Sequence, residues 1–174
     1  MDKGSFVVPT YSTGEYFDTL HAPDQDAPFK AQEFLKLLQQ VKKTSHLSIS
    51  SYIDVGCGGG GVAELVLKSL RTCGFDPWAK AYDVSPHVVN LRKPGIEFVR
   101  GDFCQSGEDC DLATLFDVFE HVPDPIQFIR DVAERTRYIA FHIPLDDSLI
   151  NRFFDRFHAR ICYPGHLIYL NVIG

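Results

Sequence analysis

The chain has 174 residues, of which 45% are hydrophobic and 23% are charged. This length and balance favour one globular domain with a single core, and they exclude a disordered or fibrous protein. The formal net charge of −6 argues against a broadly basic surface that would neutralise phosphates. Nucleic acid is therefore not an expected partner.

The sequence contains no segment typical of a membrane protein or a disulfide-rich protein. No stretch approaches the ~18 consecutive apolar residues of a membrane span, and the N-terminus lacks the apolar core of a signal peptide. The five cysteines form an odd set without a C-x-x-C pair, which predicts neither a disulfide framework nor a zinc site. We expect a cytoplasmic protein with no membrane partner and no bound metal.

Short apolar runs alternate with amphipathic stretches along most of the chain, which is typical of an α/β protein. Short links between them imply parallel strands under right-handed crossovers. The predicted fold is a three-layer, Rossmann-like sandwich whose mainly parallel sheet is flanked by helices. We predict strands over 48–55, 78–84, 96–102, 111–119 and 138–145, and helices over 26–43, 61–74, 86–93 and 124–136.

The whole chain is interpreted as one domain, 1–174, in three parts. A lead and helix occupy 1–45, the binding core occupies 46–145, and a C-terminal part occupies 146–174. The last part offers one helical stretch and one short apolar run, so we expect the final strands of the sheet to be shortened or missing. An uncovered fifth strand would leave a sheet edge open to pairing, which points to a homodimer.

Five glycines lie between positions 56 and 61, directly after the first predicted strand. A strand, a glycine turn and a helix present backbone N–H groups and the positive helix end together, where an anionic group can bind. Gly56, Gly58 and Gly61 fit G-x-G-x-x-G, and Asp83 follows at the end of the second strand. Because a carboxylate there accepts hydrogen bonds from ribose hydroxyls, these residues predict a site for a nucleoside that carries an anion.

Two more aspartates narrow the ligand. Asp54, just before the glycines, would repel a pyrophosphate and attract an ammonium group, although it could instead stiffen the loop as an internal acceptor. Asp102, at the end of the third strand, can accept a hydrogen bond from an adenine amine, and Phe103 can offer an apolar edge to the ring. In the alternative interpretation, Asp83 and Asp102 cap a turn or a helix. The ligand interpretation favours adenosine joined to an amino acid.

At this point the sequence resembles the class I S-adenosylmethionine-dependent methyltransferases. Four segments carry the resemblance, in the family's order: "IDVGCGGG", "AYDVSP", "FVRGDF" and "DLATLFDVFEHVPDP". The fourth looks most like the small-molecule methyltransferases in which a Glu-His-Val segment follows strand four. The resemblance implies S-adenosylmethionine as cofactor and a small-molecule acceptor.

The resemblance also implies roles for individual residues. Gly56, Gly58 and Gly60 should approach the methionine part of the cofactor, and Phe116 and Asp117 should lie near the same end. The residue matching Asp83 binds ribose in the family, and the one matching Asp102 meets adenine. The candidate cofactor-binding residues are Asp54, Gly56, Gly58, Gly60, Asp83, Val84, Asp102, Phe103, Phe116 and Asp117.

The cofactor's sulfonium methyl group is already a strong electrophile, so the protein needs chiefly to hold an O, N, C or S nucleophile in line and to exclude water. His121, after strand four, is the candidate general base, because an imidazole with an ordinary pKa of about 6.5 suits that task. Its alternative role is to order the loop.

Two other functions compete with methyl transfer. An NAD-dependent oxidoreductase would use the same glycines and Asp83, but Asp54 and the segment "FEHVPDP" disfavour it. A non-catalytic methyltransferase-like module would bind the cofactor or a protein partner without turnover.

Overall fold

The computed structural model of the protein describes residues 13–14 and 24–143, so the predicted C-terminal part, 146–174, lies outside the described residues. The strands are β1 (Ser51–Val55), β2 (Trp78–Asp83), β3 (Ile96–Arg100), β4 (Cys110–Phe116) and β5 (Thr136–His142). The α-helices are α1 (Ala27–Thr44), α2 (Gly61–Thr72), α3 (Phe103–Ser106) and α4 (Pro125–Ala133), and 3-10 helices cover Pro86–Asn90 and Phe119–His121.

The five strands form one parallel sheet in the order β3-β2-β1-β4-β5, which confirms the predicted α/β architecture. From β1, the strands β2 and β3 are added on one side of the sheet. Strand β4 then pairs with the other side of β1, and β5 pairs with β4. The order therefore reverses between β1 and β4. In open α/β sheets, ligands bind outside the carboxyl ends of the strands at this kind of reversal.

The core lies on both faces of the sheet, because neighbouring side chains of a strand point to opposite faces. Tyr52 packs with Val66 and Leu70 on the side of α1 and α2. Ile53, the next residue along β1, packs with Val132 of α4 on the other side. Every residue of β1 is buried, as expected for the central strand of a parallel sheet.

Helix α1 packs against α2 and the sheet through a narrow buried face. Its buried residues recur at intervals of three and four, as an amphipathic helix requires. Phe29 and Leu37 are more than half exposed, because they lie outside this stripe. The buried residues of α1 are Ala27, Lys30, Ala31, Phe34 and Leu38.

Two short elements differ from the sequence prediction. The helix expected over 86–93 is a 3-10 helix that ends at Asn90. Pro94 disfavours helical geometry at Lys93, which instead forms a bridge with Ile96. Helix α3 was not predicted, because four residues are too few to show a hydrophobic period.

None of the helices described between residues 24 and 143 combines the length and the apolar character that a bilayer crossing requires.

Replacing a buried leucine of α2 tests how much the stability of the fold depends on the packing of α2 against the sheet. Leu70 is fully buried between α2 and the sheet, so Leu70→Ala should lower the free energy of unfolding by about 2–5 kcal/mol. Leu37→Ala, on the exposed side of α1, should change it by less than about 0.5 kcal/mol. Urea denaturation followed by circular dichroism measures both, and equal losses would contradict the packing described.

Candidate functional site

The glycine turn begins where β1 ends, at the reversal of strand order. The N–H groups of Gly56 and Cys57 both donate to the carbonyl oxygen of Tyr82, at 2.8 and 3.0 Å. Gly56 has a φ of +74°, and a Cβ atom there would come within 2.6 Å of Val118. Gly60 has a φ of +79°. The turn therefore needs glycine for both backbone conformation and space.

Asp83 points toward this turn. The Gly58 N–H donates to Asp83 Oδ2 at 2.8 Å, and the Ser85 N–H donates to Oδ1 at 2.8 Å. Burial raises the pKa of Asp83, and hydrogen bonds from the backbone N–H groups of Ser85, Gly58 and Val84 oppose that effect. Because a carboxylate oxygen can accept more than one hydrogen bond, both oxygens keep capacity for a ligand. Val84, the next residue, is partly buried, and its carbonyl accepts from Arg100 Nε at 3.5 Å.

Asp54 is buried, with 2% of its surface exposed. The register of β1 and β4 places Thr114 opposite it, and Thr114 Oγ1 donates to Asp54 Oδ1 at 2.5 Å. The Tyr52 hydroxyl lies 3.0 Å from Thr114 Oγ1 and donates to it, because the Thr114 hydrogen is used on Asp54. Burial raises the pKa of Asp54 to about 7, against the effect of the Thr114 hydrogen bond.

Asp24, which the sequence analysis did not identify, contacts the glycine turn from the segment before α1. A Cβ atom on Gly59 would lie 2.7 Å from Asp24 Oδ2, and one on Gly61 would lie 2.5 Å from its Cγ. The charges of Asp83 and Asp24 add to burial in raising the pKa of Asp54. The place expected to receive an anion is therefore bordered by three carboxylates. Nothing in the local sequence around Asp24 marks it as a site residue.

The carboxyl ends of β4 and β5 carry a second charged group of residues. Asp117, directly after β4, uses both carboxylate oxygens: Oδ1 lies 2.6 Å from His142 Nδ1 and Oδ2 lies 2.5 Å from Lys30 Nζ. Lys30 Nζ also lies 2.8 Å from Asp26 Oδ2. Phe116 packs beside this group, with its ring centroid 6.1 Å from that of His142.

Hydrogen bonds keep this group charged despite its burial. Burial opposes the charged form of Lys30, but the hydrogen bonds to Asp117 and Asp26 outweigh it and raise the Lys30 pKa. Burial likewise opposes ionisation of Asp117, yet His142 and Lys30 hold the pKa of Asp117 below its usual value. Sequence reasoning missed Lys30, although a charged residue on the apolar stripe of a helix was an available signal.

At the third strand end, Asp102 has the geometry of the alternative interpretation, a helix cap, and its contact with adenine stays a prediction. Asp102 caps α3, accepting from the Cys104 N–H at 2.9 Å and from Gln105 Nε2 at 3.0 Å. Phe103 is only 1% exposed and packs against Tyr82, with ring centroids 5.7 Å apart. Its side chain therefore belongs to the core, and its contact with the adenine ring stays a prediction.

His121 ends the 3-10 helix after β4, where its N–H donates to Val118 O at 3.0 Å. Its side chain is 14% exposed, and its Nε2 lies 3.9 Å from Glu120 Oε1. The catalytic role of His121 stays a prediction. Cys57 is buried in the glycine turn, and burial raises its thiol pKa, which does not suit a nucleophile. Over residues 13–14 and 24–143, no three His, Cys, Asp or Glu side chains cluster so as to hold a metal ion.

Known proteins share parts of this sequence. It is 30% identical over 121 residues to ubiquinone biosynthesis O-methyltransferase of Nitrosospira multiformis, which covers 64% of this chain and 49% of the relative. It is 34% identical over 123 residues to the protein of that name from Xanthomonas oryzae, which covers 63% of this chain and 49% of the relative. The chain thus spans about half the length of the curated relatives it matches.

Solved structures share the fold. Magnesium protoporphyrin IX methyltransferase from Synechocystis PCC 6803, with bound SAH, matches with a TM-score of 0.56 and 16% identity over 92% of this chain and 80% of its own. An N-methyltransferase from Bradyrhizobium japonicum, in complex with S-adenosylhomocysteine, matches with a TM-score of 0.54 and 20% identity, covering 76% and 71%. A family model described as a methyltransferase domain matches residues 26–171. The chain therefore belongs to the methyltransferase domain family.

Proposed function

We propose that this chain binds S-adenosylmethionine at the carboxyl ends of β1, β2 and β4 and transfers its methyl group to a small-molecule acceptor. The observation that carries the proposal is the set of three carboxylates, Asp24, Asp54 and Asp83, around the glycine turn. S-adenosylmethionine carries a sulfonium and an ammonium group against one carboxylate. A ligand with net positive charge suits these acidic side chains.

The residues present fit the parts of this cofactor. Asp83 retains acceptor capacity for ribose hydroxyls beside Gly58. Asp54 and Asp24 supply negative charge for the ammonium group, and the glycine turn provides backbone close to the ligand without side chains in between. Asp102 accepts hydrogen bonds from Cys104 and Gln105 as it caps α3. Because each carboxylate oxygen can accept more than one hydrogen bond, Asp102 can also accept one from the adenine amine.

The same charges disfavour the nicotinamide alternative. A pyrophosphate next to the glycine turn would lie close to the carboxylate of Asp24, which contacts Gly59 and Gly61. It would also lie near the buried carboxylate of Asp54. Like charges at short range in a partly buried site repel strongly. Membership of the methyltransferase domain family supports the same conclusion. A methyltransferase-like module without turnover would bind S-adenosylmethionine but would transfer no methyl group to an acceptor.

The bound cofactor supplies an electrophilic methyl group. The chain's own part is to bind, orient and exclude water. Asp54 is fixed by Thr114 and Tyr52, so its carboxylate needs no rearrangement to meet a cation. Phe34 of α1 packs near Phe116, with ring centroids 6.4 Å apart, so two apolar rings lie beside the carboxyl end of β4.

The proposed acceptor is a small molecule with a nucleophilic atom. The ubiquinone biosynthesis O-methyltransferases among the relatives support an oxygen nucleophile, and the general class remains a small molecule with an O, N, C or S nucleophile. The expected homodimer, the cytoplasmic location and the absence of a membrane partner stay predictions.

Calorimetry with S-adenosylmethionine tests the binding site. Asp83→Asn should weaken binding at least tenfold, about 1.4 kcal/mol, because an amide replaces a charged acceptor. Asp109→Asn makes the same change at an exposed position beside the amino end of β4 and should bind like the wild type. Circular dichroism checks that both variants are folded. No binding by the wild type, equal binding by both variants, or tighter binding of NADH would refute the proposal.

The raised pKa of Asp54 predicts that the residue favours binding at the expense of stability. An unfolded chain ionises this aspartate near pH 4, whereas the folded chain does so near pH 7, so stability falls as pH rises through this window. The pKa difference of Asp54 between the folded and the unfolded chain corresponds to a loss of roughly 4 kcal/mol at most in the free energy of unfolding. Asp54→Asn should therefore unfold at higher urea concentration at pH 8, with the gain shrinking toward pH 5, and it should bind S-adenosylmethionine more weakly.

Asp111→Asn provides a control of opposite sign. Hydrogen bonds from the Ser50 hydroxyl and N–H lower the pKa of Asp111, so its carboxylate adds stability above the unfolded pKa and this variant should be less stable at pH 8. Urea denaturation at a series of pH values measures both variants. The interpretation of Asp54 would be wrong if both variants shifted stability in the same direction.

A further inference from the structure

We propose that His142 is the general base that takes the acceptor's proton, and that Asp117 and Lys30 are positioning residues that hold its imidazole ready for that step. The inference rests on the proposed methyl transfer and adds to it the residue that activates the acceptor. It replaces His121, the base expected from the sequence, with a histidine at the end of the neighbouring strand β5.

Asp117 and His142 are joined in two ways. The Asp117 N–H donates to the His142 carbonyl at 3.0 Å, and the side chains meet at 2.6 Å between Oδ1 and Nδ1. Asp117 has a φ of +56°, the only positive φ of a non-glycine residue in the described part of the chain. An aspartate tolerates this conformation better than most residues, and here it turns the carboxylate back toward β5.

This contact selects one tautomer of the imidazole. An ionised carboxylate can only accept, so the hydrogen of a neutral His142 must lie on Nδ1. The Nε2 atom then carries a lone pair and can accept a proton. Among the residues that the structure describes, Nε2 has no hydrogen-bond partner, and the side chain is 32% exposed. A carboxylate that orients a histidine in this way also stabilises the imidazolium that forms.

The charged groups near His142 leave one net negative charge. Asp117 contacts His142 directly, and Lys30 of α1 joins Asp117 to Asp26, so two carboxylates are balanced by one ammonium group. The other neighbours are the neutral rings of Phe29 and Phe116, with centroids 6.4 and 6.1 Å away. Lys30 keeps Asp117 ionised without contacting the imidazole nitrogens itself.

Position supports the same role. His142 pairs with Phe116 in the register of β4 and β5, so both residues lie at the carboxyl ends of their strands. The strand order reverses between β1 and β4 at this same edge of the sheet. His121 is less exposed, at 14%. His142 therefore combines a hydrogen-bonded carboxylate, a side chain that is 32% exposed and a place at the sheet edge.

The proton and electron balance of the step is simple. The acceptor oxygen loses its proton to His142 Nε2 and forms a bond to the methyl carbon, while the carbon–sulfur bond breaks and its electron pair stays on sulfur. The positive charge thus passes from the sulfonium to the imidazolium. Release of that proton to solvent restores neutral His142.

Nuclear magnetic resonance of the full chain without ligand tests the arrangement independently of cofactor binding. Long-range ¹H–¹⁵N correlation spectra at neutral pH should show His142 protonated on Nδ1 and not on Nε2. Asp117→Asn should increase the Nε2-protonated form, which is the usual one for free histidine. An Nε2-protonated His142 in the wild type, or no response to Asp117→Asn, would overturn the inference even if S-adenosylmethionine binds as proposed.

Methyl transfer to phenolic probes tests catalysis. With radiolabelled S-adenosylmethionine and catechol, His142→Gln should lower kcat at least 100-fold while the cofactor's Kd changes less than twofold. With the more acidic 4-nitrocatechol the loss should be much smaller, because less help is needed to remove the proton. His46→Gln, at an exposed position after α1, should behave like the wild type with both probes.

The outcomes separate the two proposals. Equal losses of kcat on the two probes would indicate a merely structural role for His142 and would overturn the inference. An unchanged kcat in His142→Gln would overturn it as well. Failure of the wild type to bind S-adenosylmethionine would refute the proposed function, whereas the tautomer of His142 would still be decided by the resonance experiment.

Discussion

The buried hydrogen bond from Thr114 to Asp54 is the constraint on which the site depends. It links β1 to β4 at the one place where the order of the sheet reverses, and it holds a carboxylate where water has little access. Burial makes ionisation of this carboxylate unfavourable, and a single neutral hydroxyl donor offsets only part of that cost. A cationic ligand would supply the missing compensation, so the apo fold carries a cost that binding removes.

The site divides into two regions with different charge. Asp24, Asp54 and Asp83 surround the glycine turn, and the negative charge there is left for a ligand to balance. Lys30, Asp117 and His142 form the other region, where the charges are already paired. The segment from Asp24 to Lys30 contacts both regions, so the start of α1 determines how they lie relative to each other.

This division suits a reaction in which the cofactor supplies the reactivity and the protein supplies position. In the proposed function, the acidic region would recognise the cofactor by charge and ribose contacts. The paired region would be preorganised for proton transfer, because Lys30 holds Asp117 and Asp117 in turn holds His142. Under this proposal, α1 would contribute to the chemistry as well as to the core, through the lysine on its buried face.

The sequence alone determined the features that depend on local chain geometry. The parallel sheet followed from alternating strands and helices, and the glycine turn with Asp83 followed from a spacing that a strand and a helix impose. The tertiary structure decided which charges meet. Asp24 precedes α1, Lys30 lies near the start of α1 and His142 ends β5, and their sequence neighbours do not reveal that they converge on β1 and β4. The tertiary structure also decided that Asp102 caps α3 and that Phe103 packs against Tyr82, because an aspartate at a strand end looks the same in the sequence whether it faces a ligand or caps a short helix.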